Sequence, residues 1–272
     1  METCSDNSLT SVGLGVRLAK NALGGADAWA TLQQYTAARI ALGRSGGSLR
    51  TPSVLDFRLA HAAARDAVHA AFHAEQVQRQ LASVQVDAVQ VQTRTTDKLA
   101  YLKNPELGRR LADASAEALR RYAKVWGSRD LVIVVSDGLS ALAAQRHAAE
   151  SITLLMHELV PDWSIYPIVI APFGRVKISD EIGDLLRARH ALIFIGERPG
   201  LGAPDSLSAY FTYHPQLDRV DSDRNCISNI RPEGMPLAVA AKKIARLLRE
   251  SERLKISGTA LKDRVTGNEL VE

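Results

Sequence analysis

Four short apolar runs, spaced by segments of helical period, dominate the second half of the chain. Residues 131–135 are five consecutive large aliphatics. A run that short and that apolar predicts a strand buried on both faces. Burying each such side chain contributes about 1.5–3 kcal/mol, so the run anchors a core. Residues 164–171, 191–195 and 208–213 predict three further strands. Between and around them the apolar positions recur at helical spacing. A helix opens at Asn104-Pro105 and runs to about Trp126; others are predicted over 141–159, 180–189 and 236–255. Strands alternating with helices every 25–35 residues or so predict right-handed crossovers and a mostly parallel sheet.

Upstream the period changes. Residues 26–42 are rich in Ala and Leu and predict a helix, broken by the Gly/Ser-rich stretch 43–48. Thr51 can cap a second helix, with Pro52 in its first turn, where a missing N–H costs nothing. Val54, Leu55, Leu59, Ala62, Ala63 and Val68 carry its apolar stripe to about Phe72. From Val84 to Thr93 apolar and polar residues alternate with a one-residue slip, predicting a half-exposed strand with a bulge. The chain is therefore expected to divide into an N-terminal tail over 1–25, a helical part over 26–82 and an α/β part over 83–272.

Composition bounds the partners. Apolar residues make up 46% and charged residues 24%, as in ordinary globular chains. The net charge of +4 is small and dispersed, which argues against a nucleic-acid partner. The basic stretch 242–264 is interrupted by Glu250, Glu252 and Asp263 and reads as a solvated helix face. Cys4 and Cys226 lie far apart, so no structural disulfide is expected, which fits a reducing, cytoplasmic compartment. Residues 1–10 are polar and acidic, unlike a secretory signal. No run approaches about 18 apolar residues, so no membrane span is expected.

In an open parallel sheet, ligands bind at the carboxyl ends of the strands. Here those ends carry Ser136-Asp137-Gly138-Leu139-Ser140, Pro172-Phe173-Gly174-Arg175-Val176-Lys177, Gly196-Glu197-Arg198-Pro199-Gly200-Leu201-Gly202 and, after a longer connection, Asp223-Arg224-Asn225-Cys226-Ile227-Ser228-Asn229. Each segment combines small residues, which allow close backbone approach, with charged or hydrogen-bonding groups. Asp137, Arg175, Glu197 and Cys226 are the candidate site residues. Glu197 could instead pair with Arg198 or Arg175. The spacing of Gly196, Gly200 and Gly202 is not the dinucleotide fingerprint, and no Walker lysine motif is present. That weakens the alternative of a self-sufficient nucleotide-dependent α/β enzyme. A non-enzymatic interaction module would leave four ligand-type segments unexplained. His69 and His73, four apart on the predicted helix, lack the carboxylate of a metal motif. Cys226 has no neighbouring histidine or second thiol to make it a nucleophile.

These segments resemble the small (light) subunit of ethanolamine ammonia-lyase. The resemblance rests on residues 135–140, 174–178, 196–202 and 223–230, and on Tyr101, Leu102, Pro105, residues 108–111 and residues 39–44. It spans about residues 26–260. Gly-Glu-Arg-Pro-Gly-Leu-Gly followed at distance by Cys-Ile-Ser-Asn-Ile is its most specific part. The resemblance implies a helical N-terminal part followed by a Rossmann-like sheet domain that grips adenosylcobalamin. It implies a large barrel subunit as partner, in a higher hetero-oligomer, with catalytic side chains on that partner. The family's cofactor contacts fall on Val176, Glu197 and Cys226. No histidine lies in a D-x-H-x-x-G context, so the nucleotide base is expected to stay on cobalt. The segment before about Gly25 is shorter than the family's usual tail. In some relatives that tail bears on packaging into a bacterial microcompartment, which becomes a second candidate location.

Overall fold

The computed structural model describes Asp27 and residues 29–263; the predicted tail, Cys4 and the last residues lie outside them. Two compact units divide between Leu55 and Asp56.

In the first unit the helix expected over 26–42 is replaced by one 3-10 segment, Ala30–Tyr35, followed by irregular chain. None of the six residues in that segment is buried. Ala and Leu favour a helix only weakly, and a short helix without a packed face is marginal. The amide of Gln33 instead donates to the carbonyls of Ile40 and Ala41. The predicted break is a small hairpin of β1 (Arg44–Ser45) and β2 (Ser48–Leu49). Helix α1 (Thr51–His69) follows with Pro52 in its first turn, and the division between the units falls within it. Its buried residues are Ala64 and Ala67, whereas Leu55 and Leu59 of the predicted stripe are exposed.

The second unit is mixed α/β. Helix α2 (Ala74–Ser83) leads to β3 (Ala88–Gln90), the short survivor of the strand predicted from Val84. His69 closes α1 and His73 precedes α2, so the two histidines do not share a helix face. The single helix expected from Asn104 is instead α3 (Lys98–Lys103), a 3-10 turn Pro105–Arg109, and α4 (Asp113–Trp126). Two close approaches explain the interruption. Leu111 bridges Thr93, and a Cβ on Gly108 would stand 2.6 Å from the Phe173 carbonyl. Then come β4 (Leu131–Ser136), α5 (Ala141–Leu159), β5 (Ile168–Ile170), α6 (Ile178–Leu186), β6 (His190–Gly196), β7 (Leu207–Tyr213), β8 (Arg224–Ile230) and α7 (Leu237–Leu254).

The sheet order is β3-β5-β4-β6-β7-β8. The first four strands run parallel. Strand β7 is antiparallel to β6, and β8 antiparallel to β7. Two expectations are thereby corrected. The fourth predicted strand is not part of the parallel set. The segment around Cys226, expected as a strand-end loop, is an edge strand.

Alternate residues of β4 feed two cores. Leu131, Ile133 and Val135 pack with α2, α5 and α7; Val132 and Val134 pack with α4 and α6. The chain leaving β4 therefore turns to one face, and the chain leaving β5 turns to the other. Such divergence opens a crevice at the carboxyl edge of the strands. Among the described residues, no helix is long and apolar enough to cross a membrane.

Candidate functional site

The crevice is held by polar groups of its own loops. Asp137 is buried, and its Oδ1 accepts the Phe173 N–H at 2.6 Å. Lys98 Nζ stands 3.7 Å from its Oδ2 and donates to the Gly138 carbonyl at 3.2 Å. Burial pushes the Asp137 carboxyl above the usual range, and the Lys98 charge opposes that. Beside it, the Ser136 hydroxyl accepts the Gly174 N–H at 2.9 Å and donates to the Gly174 carbonyl at 3.2 Å. Asp137 thus ties the loop after β4 to the loop after β5, a fastening role that its place in a conspicuous motif did not reveal. Gly138 has a φ of 54°, and a Cβ there would meet the Gly196 carbonyl at 2.4 Å. The loops after β4 and β6 are joined by the Leu139 N–H, which donates to the Gly196 carbonyl, and by the Ser140 hydroxyl, which donates to the Pro204 carbonyl, both at 3.0 Å.

Two adjoining pockets lie over this framework. One, of about 270 Å³, includes Leu139, Val176, Glu197, Ser208 and Tyr210. The second, of about 380 Å³, includes Val176, Tyr210 and Cys226. Arg175, Val176 and Tyr210 are common to both. The fold therefore brings Val176, Glu197 and Cys226 onto one surface, although Cys226 arrives on a strand.

Glu197 forms neither ion pair that its sequence neighbours suggested. Its Oε1 accepts the backbone N–H of Asn229 at 3.0 Å and the Ser208 hydroxyl. Both bonds use the same oxygen, so Oε2 remains an available acceptor. Cys226 stands opposite Tyr210 in the β7–β8 register. Protein atoms crowded around its thiol push its pKa up, which disfavours the thiolate needed for nucleophilic work. Tyr210 is pushed up to about 12, first by burial and then by Cys226, so its hydroxyl stays neutral.

Arg175 lies 3.9 Å over the Tyr101 ring and donates through Nη2 to the Tyr101 carbonyl at 2.9 Å. Tyr101 is itself buried, and burial raises its phenol. At the edge of the second pocket, Arg224 Nη1 meets Asp180 Oδ2 at 2.8 Å, with both side chains almost fully buried. Tyr101, Ser208 and Tyr210 were not singled out by their own chemistry in the sequence. Tyr101 occupies an ordinary apolar helix position; Ser208 and Tyr210 sit in a predicted strand. Only the antiparallel return of β7 puts those two beside Glu197 and Cys226.

The sequence profile of the ethanolamine ammonia-lyase light chain (EutC) matches residues 26–262. An ethanolamine ammonia-lyase small subunit from Xanthomonas campestris pv. campestris is 50% identical over 242 residues, covering 87% of this chain and 88% of that protein. One from Pseudomonas syringae pv. tomato is 48% identical over 247 residues, covering 90% and 86%. One from Azotobacter vinelandii is 49% identical over 237 residues, covering 86% and 88%. Identity near one half along almost the whole described chain leaves a single assignment: the protein belongs to the ethanolamine ammonia-lyase light-chain family.

Proposed function

We propose that this chain is the cofactor-gripping small subunit of an adenosylcobalamin-dependent ethanolamine ammonia-lyase, which converts ethanolamine to acetaldehyde and ammonia. What carries the reading is the convergence of Val176, Glu197 and Cys226 on two adjoining open pockets, in a chain of this family. The donor set suits a corrin. The ring offers broad apolar faces and a rim of amides. Val176 and Leu139 provide apolar contact, and Glu197 Oε2 is a free acceptor for an amide N–H. Both pockets are open depressions, so this chain covers one side of such a ligand. A second chain must cover the other, and that role falls to a large barrel subunit in a higher hetero-oligomer.

When bound, adenosylcobalamin would supply radical chemistry through its cobalt–carbon bond, with Val176, Glu197 and Cys226 holding it. The residues of this chain bind it, orient it and keep water from one side. The raised Cys226 thiol and neutral Tyr210 fit contact rather than proton transfer, so catalytic acids and bases belong to the partner. The same reading takes the parallel strands and flanking helices as a Rossmann-like domain behind a helical N-terminal part. It places the enzyme in the cytoplasm, including a bacterial microcompartment.

The test is co-expression with the large subunit. Acetaldehyde release should require both chains, ethanolamine and adenosylcobalamin. Release by this chain alone, or none from a properly assembled pair, overturns the reading. A finer test is Glu197→Gln. The carboxamide oxygen can keep the Ser208 and Asn229 bonds, while its NH₂ opposes an incoming amide donor. The assembled complex should lose about 2 kcal/mol of cobalamin affinity, roughly thirtyfold in Kd, by equilibrium titration. Unchanged affinity in an intact complex removes Glu197 from the contact set.

A further inference from the structure

The second pocket is more cationic than a corrin requires. Arg109, Arg175, Lys177 and Arg224 reach it from three segments, against one acid, Asp221. Some of that charge is offset: Arg109 pairs with exposed Glu106, and Arg224 pairs with Asp180 through Nη1 and, at 3.7 Å through Nε, with exposed Asp221. Arg175 is held by an aromatic face and a carbonyl, and Lys177 forms no ion pair among the described residues.

Hydrogen bonding sharpens the point. Arg175 Nε, Arg224 Nε and Arg224 Nη2 are buried and have no hydrogen-bond partner. The Arg224 side chain is only 3% exposed. Buried guanidinium donors are ordinarily satisfied, because leaving one unpaired forfeits its hydration. Here Arg175 Nε and Arg224 Nη2 of one pocket lack an acceptor, and Arg224 Nε has only Asp221 at 3.7 Å. A planar guanidinium pair flanked by a flexible ammonium suits a tetrahedral oxyanion.

We propose that this cationic pocket receives the phosphodiester of the cofactor's nucleotide arm, while the adjoining Glu197 pocket takes the amide rim of the corrin. The inference rests on the cofactor reading above and gives each pocket a different part of the same molecule. Arg175, shared by both pockets, stands at the junction between ring and arm.

Two ligands separate these parts. Cyanocobalamin carries the phosphodiester arm; cobinamide has the corrin and its amides without it. Each is titrated by absorbance into the assembled two-subunit complex. Lys177 is half-buried, so changing it is the mild perturbation. Lys177→Glu should weaken cyanocobalamin by about tenfold, or about 1.4 kcal/mol, with cobinamide unchanged. Arg109→Ala should act in the same direction, and added salt should weaken cyanocobalamin more than cobinamide. Equal loss of both ligands, or loss of neither, overturns the assignment and leaves the cofactor reading standing. Failure of the unaltered complex to bind either ligand overturns the cofactor reading and this proposal with it.

Discussion

Arg224→Leu should destabilise the subunit by about 3–5 kcal/mol in urea unfolding. The cost does not come from losing a favourable pair. It comes from leaving the Asp180 carboxyl buried without its countercharge, 2.8 Å from where Nη1 had been. Removing both partners, as in Asp180→Asn with Arg224→Leu, should recover most of the loss. The pH dependence has a defined sign. Burial raises Asp180 from 3.8 to about 6 and outweighs Arg224, which pulls it down. The folded state therefore holds this proton more tightly than the unfolded chain. Its stabilising contribution is complete below 3.8 and is lost as pH rises through about 6. Without Arg224 the carboxyl moves higher still, so the single variant should lose most at neutral pH and approach the parent as pH falls. A single variant as stable as the parent, or a gap that does not narrow in acid, contradicts this account.

The second large effect concerns one glycine of the motif Gly196-Glu197-Arg198-Pro199-Gly200-Leu201-Gly202. A Cβ on Gly196 would lie 2.0 Å from the Ser140 carbonyl and 2.5 Å from that of Asp137. Both are backbone atoms and cannot swing aside. Gly196→Ala should cost about 3 kcal/mol and push the loop after β4 outward. Gly202 has open space within 4 Å and an unstrained φ. Gly202→Ala should change stability by less than about 0.5 kcal/mol. Thermal unfolding of the two variants side by side checks the contrast. Equal effects would mean that the motif acts as a flexible loop rather than through one backbone contact.

That contrast shows where the sequence was readable. Three glycines in one motif read alike as letters, but only the folded contacts separate the one pressed between carbonyls from the one in the open. The strand β4 was legible as an unbroken apolar run, and the helices α5 and α7 because their periods are long and unmixed; α5 falls on the expected residues 141–159. The edge strand β8 was not. Its burial runs buried, half-buried, exposed, buried, exposed, exposed, buried, which breaks alternation. The irregular register between β7 and β8 supplies the reason. The helix expected over 26–42 failed because composition cannot announce whether a face will find a partner. Of the candidate site residues, Glu197 and Cys226 are expected from their place in strand-end segments, and Val176 only from the family resemblance. The fastening role of Asp137 and the unsatisfied donors of Arg224 depend on contacts across about forty residues and have no local signature.

The order of the strands has a further consequence, for how the molecule assembles itself. Strands β6, β7 and β8 are consecutive neighbours, a meander closed by short excursions of chain. Ala88 of β3 must instead find Ile168 of β5 after the intervening chain has formed β4 on the far side of β5. Chain entropy makes the first kind of pairing quick and the second slow. The half of the site bearing Glu197 and Cys226 therefore belongs to the early-forming meander, while the loop bearing Arg175 and Val176 waits on long-range closure. In refolding of the whole chain, the strands that carry Arg224 and Cys226 and lead into Glu197 should pair before the loop bearing Arg175 and Val176 closes beside them.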